Sequence, residues 1–179
     1  MTKKSNIKDL KIIKIYNFED NRGSFKKLFS LSSKFKKEKI CQINASFNLK
    51  KGTLRGMHFQ KPPYSERKII YCSKGKILDV IVDLRSNSKT FLNIFQIELN
   101  ESDNIAIDIP RGCCHGFLTL KHRSEMIYIH FDQYNKRKEY PIMYNDPILN
   151  INWPIKISNI SNKDLSNFYL DNDFNGFKL

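Results

Sequence analysis

Between residues 39 and 134 the chain changes character at short, regular intervals. Apolar runs recur about every ten residues, the spacing of an antiparallel sandwich or barrel. They read "KICQINASF", "RKIIYCSKGKILDVIVDL", "FLNIFQIEL", "NIAIDIP", "CCHGFLTL" and "EMIYIHFDQY". The second run divides at Ser73-Lys74-Gly75, where glycine admits a positive φ and the chain can turn. In its second half Leu78, Val80, Val82 and Leu84 alternate onto one apolar face, and Ile77, Asp79, Ile81 and Asp83 fall on the other. Two carboxylates there predict a face that is only partly dry. Helix signals are thin. "SLSSKFKKEK" predicts one short helix with a serine N-cap, and "SNKDLSNFYL" a second near the C-terminus. With no repeat, linker or low-complexity block, the expectation is one mainly β domain over residues 1–179 with short peripheral helices.

Composition narrows the function classes. The 179 residues are 40% hydrophobic, enough for a real core. No apolar run approaches the roughly 18 residues needed to cross a membrane. "MTKKSNIKDLKIIKIY" carries lysines but no continuous apolar block followed by a small-residue cleavage site, so the expected address is the cytoplasm, with no membrane partner. In that setting Cys41, Cys72, Cys113 and Cys114 read as free thiols rather than a disulfide framework. The net charge of +13 raises a nucleic-acid hypothesis, but the lysines are dispersed, and "KFKKEK" and "NKRKE" are diluted by glutamate. No nucleic-acid partner is expected. A basic surface of this kind suits anionic small molecules, nucleoside diphosphates among them.

The densest chemistry lies in "TLRGMHFQKPPYSERK", residues 53–68. A regular strand would separate Arg55 from His58, whereas a bulge at Gly56 would turn both the same way. Pro62-Pro63 ends the strand and Lys68 begins the next. A lone strand histidine is ordinarily structural. Here the neighbouring Arg55 and Lys68 would favour a neutral, basic imidazole. The second histidine of interest is His115 in "IPRGCCHGF". A metal-binding jelly roll places two ligands at HxH spacing, and here the second place is Gln60, so no metal is expected. His122, in "LKHRSE", reads as part of a solvated turn, and His130 has no comparable context. No GxSxG, GxGxxG or GxxxxGKS appears.

"RGMHFQKPPYSERKIIYCSKGKILDVIVDLRSNSKTF", "IPRGCCHGF", "NDPILNINWP" and the late "SNKD", in this order and spacing, resemble the dTDP-4-dehydrorhamnose 3,5-epimerase family. The resemblance runs from about residue 20 to residue 164. It implies a cupin-type jelly roll (a double-stranded β-helix), a homodimer, and no metal or other cofactor. It further implies that His58 is the general base, oriented by Asp164, that Tyr128 is the general acid, and that Lys68 stands near the carbonyl oxygen of the substrate. By the same resemblance, Arg22, Gln42, Asn44, Arg55, His115, Glu139 and Lys163 contact a nucleotide sugar, and Tyr134 stacks on its base.

The implied reaction suits the residue types. In a 4-keto-6-deoxy sugar, carbons 3 and 5 each bear a proton α to the carbonyl. Its removal leaves an enolate, and reprotonation on the opposite face inverts the centre. A neutral imidazole is a suitable base near pH 7. Two departures from the family pattern fall at the nucleotide end. "RGSFKK" puts Lys27 where the family has a glutamate, and the stretch from Asn44 to Arg55 is about one residue longer. They leave open another nucleotide sugar, inversion at one centre only, or a non-catalytic sugar-binding module.

Overall fold

The computed structural model describes residues 4–30 and 39–179. The expected strands form two antiparallel sheets facing each other. One has the order β1 (Lys11–Lys14), β9 (Ile105–Ile109), β6 (Lys68–Lys74), β11 (Ser124–His130), β4 (Gln42–Asn48). The other runs β5 (Leu54–His58), β10 (Cys113–Thr119), β7 (Lys76–Asp83), β8 (Ile94–Asn100). A hairpin of β2 (Tyr16–Asp20) and β3 (Gly23–Lys27) stands apart as a two-stranded sheet. The turn at Ser73-Lys74-Gly75 is a corner that carries the chain from one large sheet to the other. Gly75 sits there at φ 76°, and a Cβ would meet the Ser124 Cα at 2.9 Å.

Between the sheets lie Ile70 and Cys72 of β6, Ile77 and Ile81 of β7, Phe95 of β8 and Met126 of β11. On the far side of the four-stranded sheet, Leu78, Val80, Val82 and Leu84 pack against Ile142, Leu149, Ile151 and Leu170 of the C-terminal segment. Each such side chain contributes about 1.5–3 kcal/mol when fully buried. The sheet is therefore covered on both faces, and this corrects the sequence expectation. Asp79 and Asp83 lie on a dry face, not a partly wet one. Residues distant in sequence or across a turn satisfy Asp83 fully and Asp79 through one oxygen, Oδ1 to His115. Asp83 accepts from Arg85 Nε at 2.8 Å, Ser88 Oγ at 2.6 Å and Thr90 Oγ1 at 2.6 Å. Burial works against its charge, but these hydrogen bonds hold its pKa below the usual carboxylate value.

The C-terminal segment is pinned by Asp146 of "NDP". Its buried carboxylate accepts the backbone N–H of Ile148 at 2.9 Å, Leu149 at 3.1 Å and Leu170 at 2.6 Å. Within this segment, the helix expected over residues 161–170 is one turn, α1 (Asn162–Leu165), capped by the Ser161 hydroxyl on the Asp164 N–H at 3.0 Å. It ends there because Phe168 pairs with the backbone beside Ile142, its C=O accepting from Met143 N at 2.7 Å. The other expected helix falls almost wholly outside the described residues.

Candidate active site

The bulge read from the sequence is present. The pairing of β5 with β10 shifts between His115 and Phe117, opposite Gly56 at φ 122°. A Cβ on Gly56 would stand 2.6 Å from the Gly116 Cα, so the approach of the two strands requires glycine. The shift sends Leu54 and Met57 together into the core and turns Arg55 and His58 together into a cavity of about 430 Å³ between the sheets.

Most of the expected site residues converge on this cavity. The four-stranded sheet supplies Arg55, His58 and His115, and the five-stranded sheet Gln42, Asn44, Lys68 and Tyr128. Tyr134 and Glu139 line its mouth, where Lys163 pairs with Glu139 at 2.8 Å. Tyr134 donates to Glu139 Oε2 at 3.0 Å. Burial works against the Glu139 charge, but Lys163 and Tyr134 hold its pKa below the usual value. Asp164 enters through His58, its Oδ1 2.8 Å from His58 Nε2. A carboxylate only accepts, so Nε2 carries the hydrogen and Nδ1 keeps the lone pair. Asp164 is buried, which opposes its charge, yet the His58 hydrogen bond keeps its pKa low.

Arg22 and Lys27 are not part of this convergence. They lie on the β2–β3 hairpin, both exposed, and Arg22 is paired with Asp20 at 2.7 Å. Their neighbour Lys26 instead anchors the hairpin, donating to Tyr71 Oη at 3.1 Å and to the Glu101 carbonyl at 2.6 Å.

Three residues of the site escaped sequence reasoning. Glu66 holds the buried Lys68 ammonium at 2.7 Å and meets His130 Nδ1 at 2.9 Å. Asp79 Oδ1 stands 2.6 Å from His115 Nε2. The available signal was alternation: Tyr128 and His130 share one face of β11, as Gln42 and Asn44 share one face of β4. Gln60 has a structural task, its Oε1 accepting from Asn135 N at 2.6 Å and so holding the loop that carries Tyr134. Among the described residues no group of three His, Cys, Asp or Glu side chains is placed to hold a metal ion.

The arrangement sets an imidazole on one wall, and a phenol and an ammonium on the other. Burial first, then the negative charges of Asp79 and Glu66, push the Tyr128 pKa far above its ordinary value, so its proton is retained until a strong base appears. That equipment can take a proton from a carbon acid and return one from the opposite side.

A family model described as dTDP-4-dehydrorhamnose 3,5-epimerase matches residues 4–172. The chain belongs to that family. The epimerase is thus an isomerase, and its two sheets are a cupin-type jelly roll. It is 34% identical over 167 residues to the dTDP-4-dehydrorhamnose 3,5-epimerase of Shigella flexneri, covering 91% of this chain and 92% of the relative. Among solved structures it is similar to a dTDP-6-deoxy-D-glucose-3,5-epimerase of Legionella pneumophila in complex with dTDP-4-keto-L-rhamnose. That similarity has a TM-score of 0.88 and 29% identity, over 98% of this chain and 96% of that one. A 3'-monoepimerase of Streptomyces bikiniensis in complex with dTDP-quinovose matches with a TM-score of 0.84 and 26% identity, over 92% and 85%.

Proposed function

We propose that this single jelly-roll domain inverts carbons 3 and 5 of a dTDP-linked 4-keto-6-deoxy sugar without a cofactor. The observation that carries the reading is the placement of His58, braced by Asp164, across one cavity from Tyr128, with Lys68 on Tyr128's sheet. His58 Nδ1 takes the proton from the carbon next to the ketone. The electron pair of the broken C–H bond moves onto the carbonyl oxygen, where the Lys68 ammonium meets the developing charge. Tyr128 gives its proton to the opposite face of the carbon, and proton exchange with solvent resets the imidazolium and the phenolate. Gln42, Asn44, Arg55 and His115 hold the sugar and diphosphate, while Tyr134, Glu139 and Lys163 meet the nucleoside at the mouth.

The working unit in this reading is a homodimer in the cytoplasm. Tyr16, Phe18 and Phe25 of the hairpin are exposed, as are Ile43 and Phe47 on the outward row of β4. Among the described residues β4 pairs only with β11. A second copy's hairpin laid against that edge covers both apolar rows and carries its Arg22 and Lys27 toward the neighbouring cavity. Free thiols fit a reducing compartment: burial pushes the Cys72 and Cys113 pKa values up to about 12. The test is incubation with dTDP-, UDP-, CDP- and GDP-linked 4-keto-6-deoxy sugars in deuterated water, read by NMR. Deuterium at carbons 3 and 5 of the dTDP sugar is expected. Exchange at one carbon, or only with another nucleotide, would overturn the assignment.

A further inference from the structure

β11 lies between β4 and β6, with His130 opposite Gln42 on one side and Lys68 on the other. The side-chain hydrogen bonds follow that register. Gln42 Nε2 donates to Asn44 Oδ1 at 2.8 Å, and Asn44 Nδ2 stands 3.3 Å from His130 Nε2. His130 Nδ1 stands 2.9 Å from Glu66 Oε2, and Lys68 Nζ donates to Glu66 Oε1 at 2.7 Å. An amide nitrogen only donates and a carboxylate only accepts, which fixes the ring in this row as the neutral form with its hydrogen on Nδ1. Every link then has one donor and one acceptor. The His130 ring is stacked on that of Tyr128, with centroids 5.8 Å apart and planes at 15°.

We propose that Glu66 and His130 form a hydrogen-bonded relay that fixes Lys68 at one end and Asn44 at the other, making His130 a positioning residue for the proton chemistry. The inference rests on the role given above to Lys68. A lysine has a flexible four-carbon stem, and a buried ammonium goes where its acceptor holds it. Glu66 has two oxygens, and only one faces Lys68 because His130 occupies the other. Without the Nδ1–H donor, the second oxygen is left unpaired in a buried site and turns to the nearest cation, Lys68. The ammonium is then drawn into a two-oxygen grip and away from the carbonyl oxygen. Burial opposes the Glu66 charge. The Lys68 charge and the hydrogen bonds from His130 and Lys68 outweigh it, holding the carboxyl well below the usual range. Charge on the substrate oxygen is greatest in the transition state, so a misplaced ammonium lowers kcat rather than raising KM.

Three substitutions separate the links. His130→Asn keeps a donor near the Nδ1 position, His130→Gln reaches only the Nε2 position, and His130→Phe keeps the stacking alone. The relay predicts that His130→Asn stays within about three-fold of wild-type kcat, while His130→Gln and His130→Phe lose about ten- to a hundred-fold in kcat, with a rise in KM confined to the variants that lose the acceptor for Asn44. Thermal unfolding checks that all three are folded. Nitrogen-15 NMR of the His130 imidazole, which needs no substrate, is expected to show hydrogen on Nδ1 and none on Nε2. Wild-type turnover in His130→Phe, an equal loss in His130→Asn and His130→Gln, or a hydrogen on Nε2 would each overturn the relay. Failure of the wild type to turn over any 4-keto sugar sinks the proposed function instead, and the NMR result still decides the relay.

Discussion

Two histidine–carboxylate pairs face one cavity from neighbouring strands, and they differ in almost everything except their atoms. His58 and His115 are direct partners across β5 and β10. Each presents Nε2 to an aspartate Oδ1, at 2.8 Å for Asp164 and 2.6 Å for Asp79. The His58 side chain is 36% exposed and that of His115 only 5%. Asp164 comes from a one-turn helix laid over the sheet, and Asp79 from the adjoining strand β7, where its Oδ2 has no partner among the described residues. Burial pushes the His115 pKa down, outweighing the opposing pull of Asp79. His115 therefore stays neutral and serves as a fixed dipole, whereas the His58 ring is the more open to the cavity. A carboxylate beside a histidine does not make a base. The burial of the ring decides.

Exchanging each carboxylate for its amide tests that contrast most strongly. Asp164→Asn removes the charge that stabilises the His58 imidazolium and should lower kcat by roughly 10²- to 10⁴-fold with little change in melting temperature. Asp79→Asn places an amide with surplus donors in a dry site and should cost about 1–3 kcal/mol of stability while leaving the rate within an order of magnitude. Turnover and thermal unfolding of both variants check this. If Asp79→Asn were the slower enzyme, the two pairs would have to exchange roles.

The smallest effect is expected far from either pair. Lys27 is exposed on the hairpin, outside the cavity of its own chain. Lys27→Glu should shift the preference among dTDP-, UDP-, CDP- and GDP-linked sugars by a few-fold in KM and leave kcat alone, because an ammonium only donates where a carboxylate only accepts. A panel unchanged for every nucleotide would make Lys27 an ordinary surface lysine.

What could be read from the sequence follows the range of the interactions. The strand pattern, the corner at Gly75 and the bulge at Gly56 are local, and each is present as expected. The dry environment of Asp79 and Asp83 was misread because alternation reports which side chains share a face but not what covers it. The cover here is the five-stranded sheet, whose Ile70, Cys72 and Met126 pack against Ile77 and Ile81, together with His115 and Arg85. Glu66 and His130 were passed over for a related reason. They are far apart in sequence and meet only because β6 and β11 are paired. The helix expected over residues 161–170 stopped after one turn because Phe168 found backbone partners that helix propensity does not register.

The central claim is that His58, and not its partner His115, is the base. The direct measurement is deuterium incorporation from solvent into the dTDP-linked 4-keto-6-deoxy sugar, followed by NMR for wild type, His58→Asn and His115→Asn at equal enzyme concentration. The account predicts that His58→Asn folds normally and loses exchange at both carbons, by roughly 10²-fold or more. His115→Asn should retain exchange at both carbons, with weaker substrate binding and a lower melting temperature. Substantial exchange in His58→Asn, or its loss in a folded His115→Asn, would contradict the assignment.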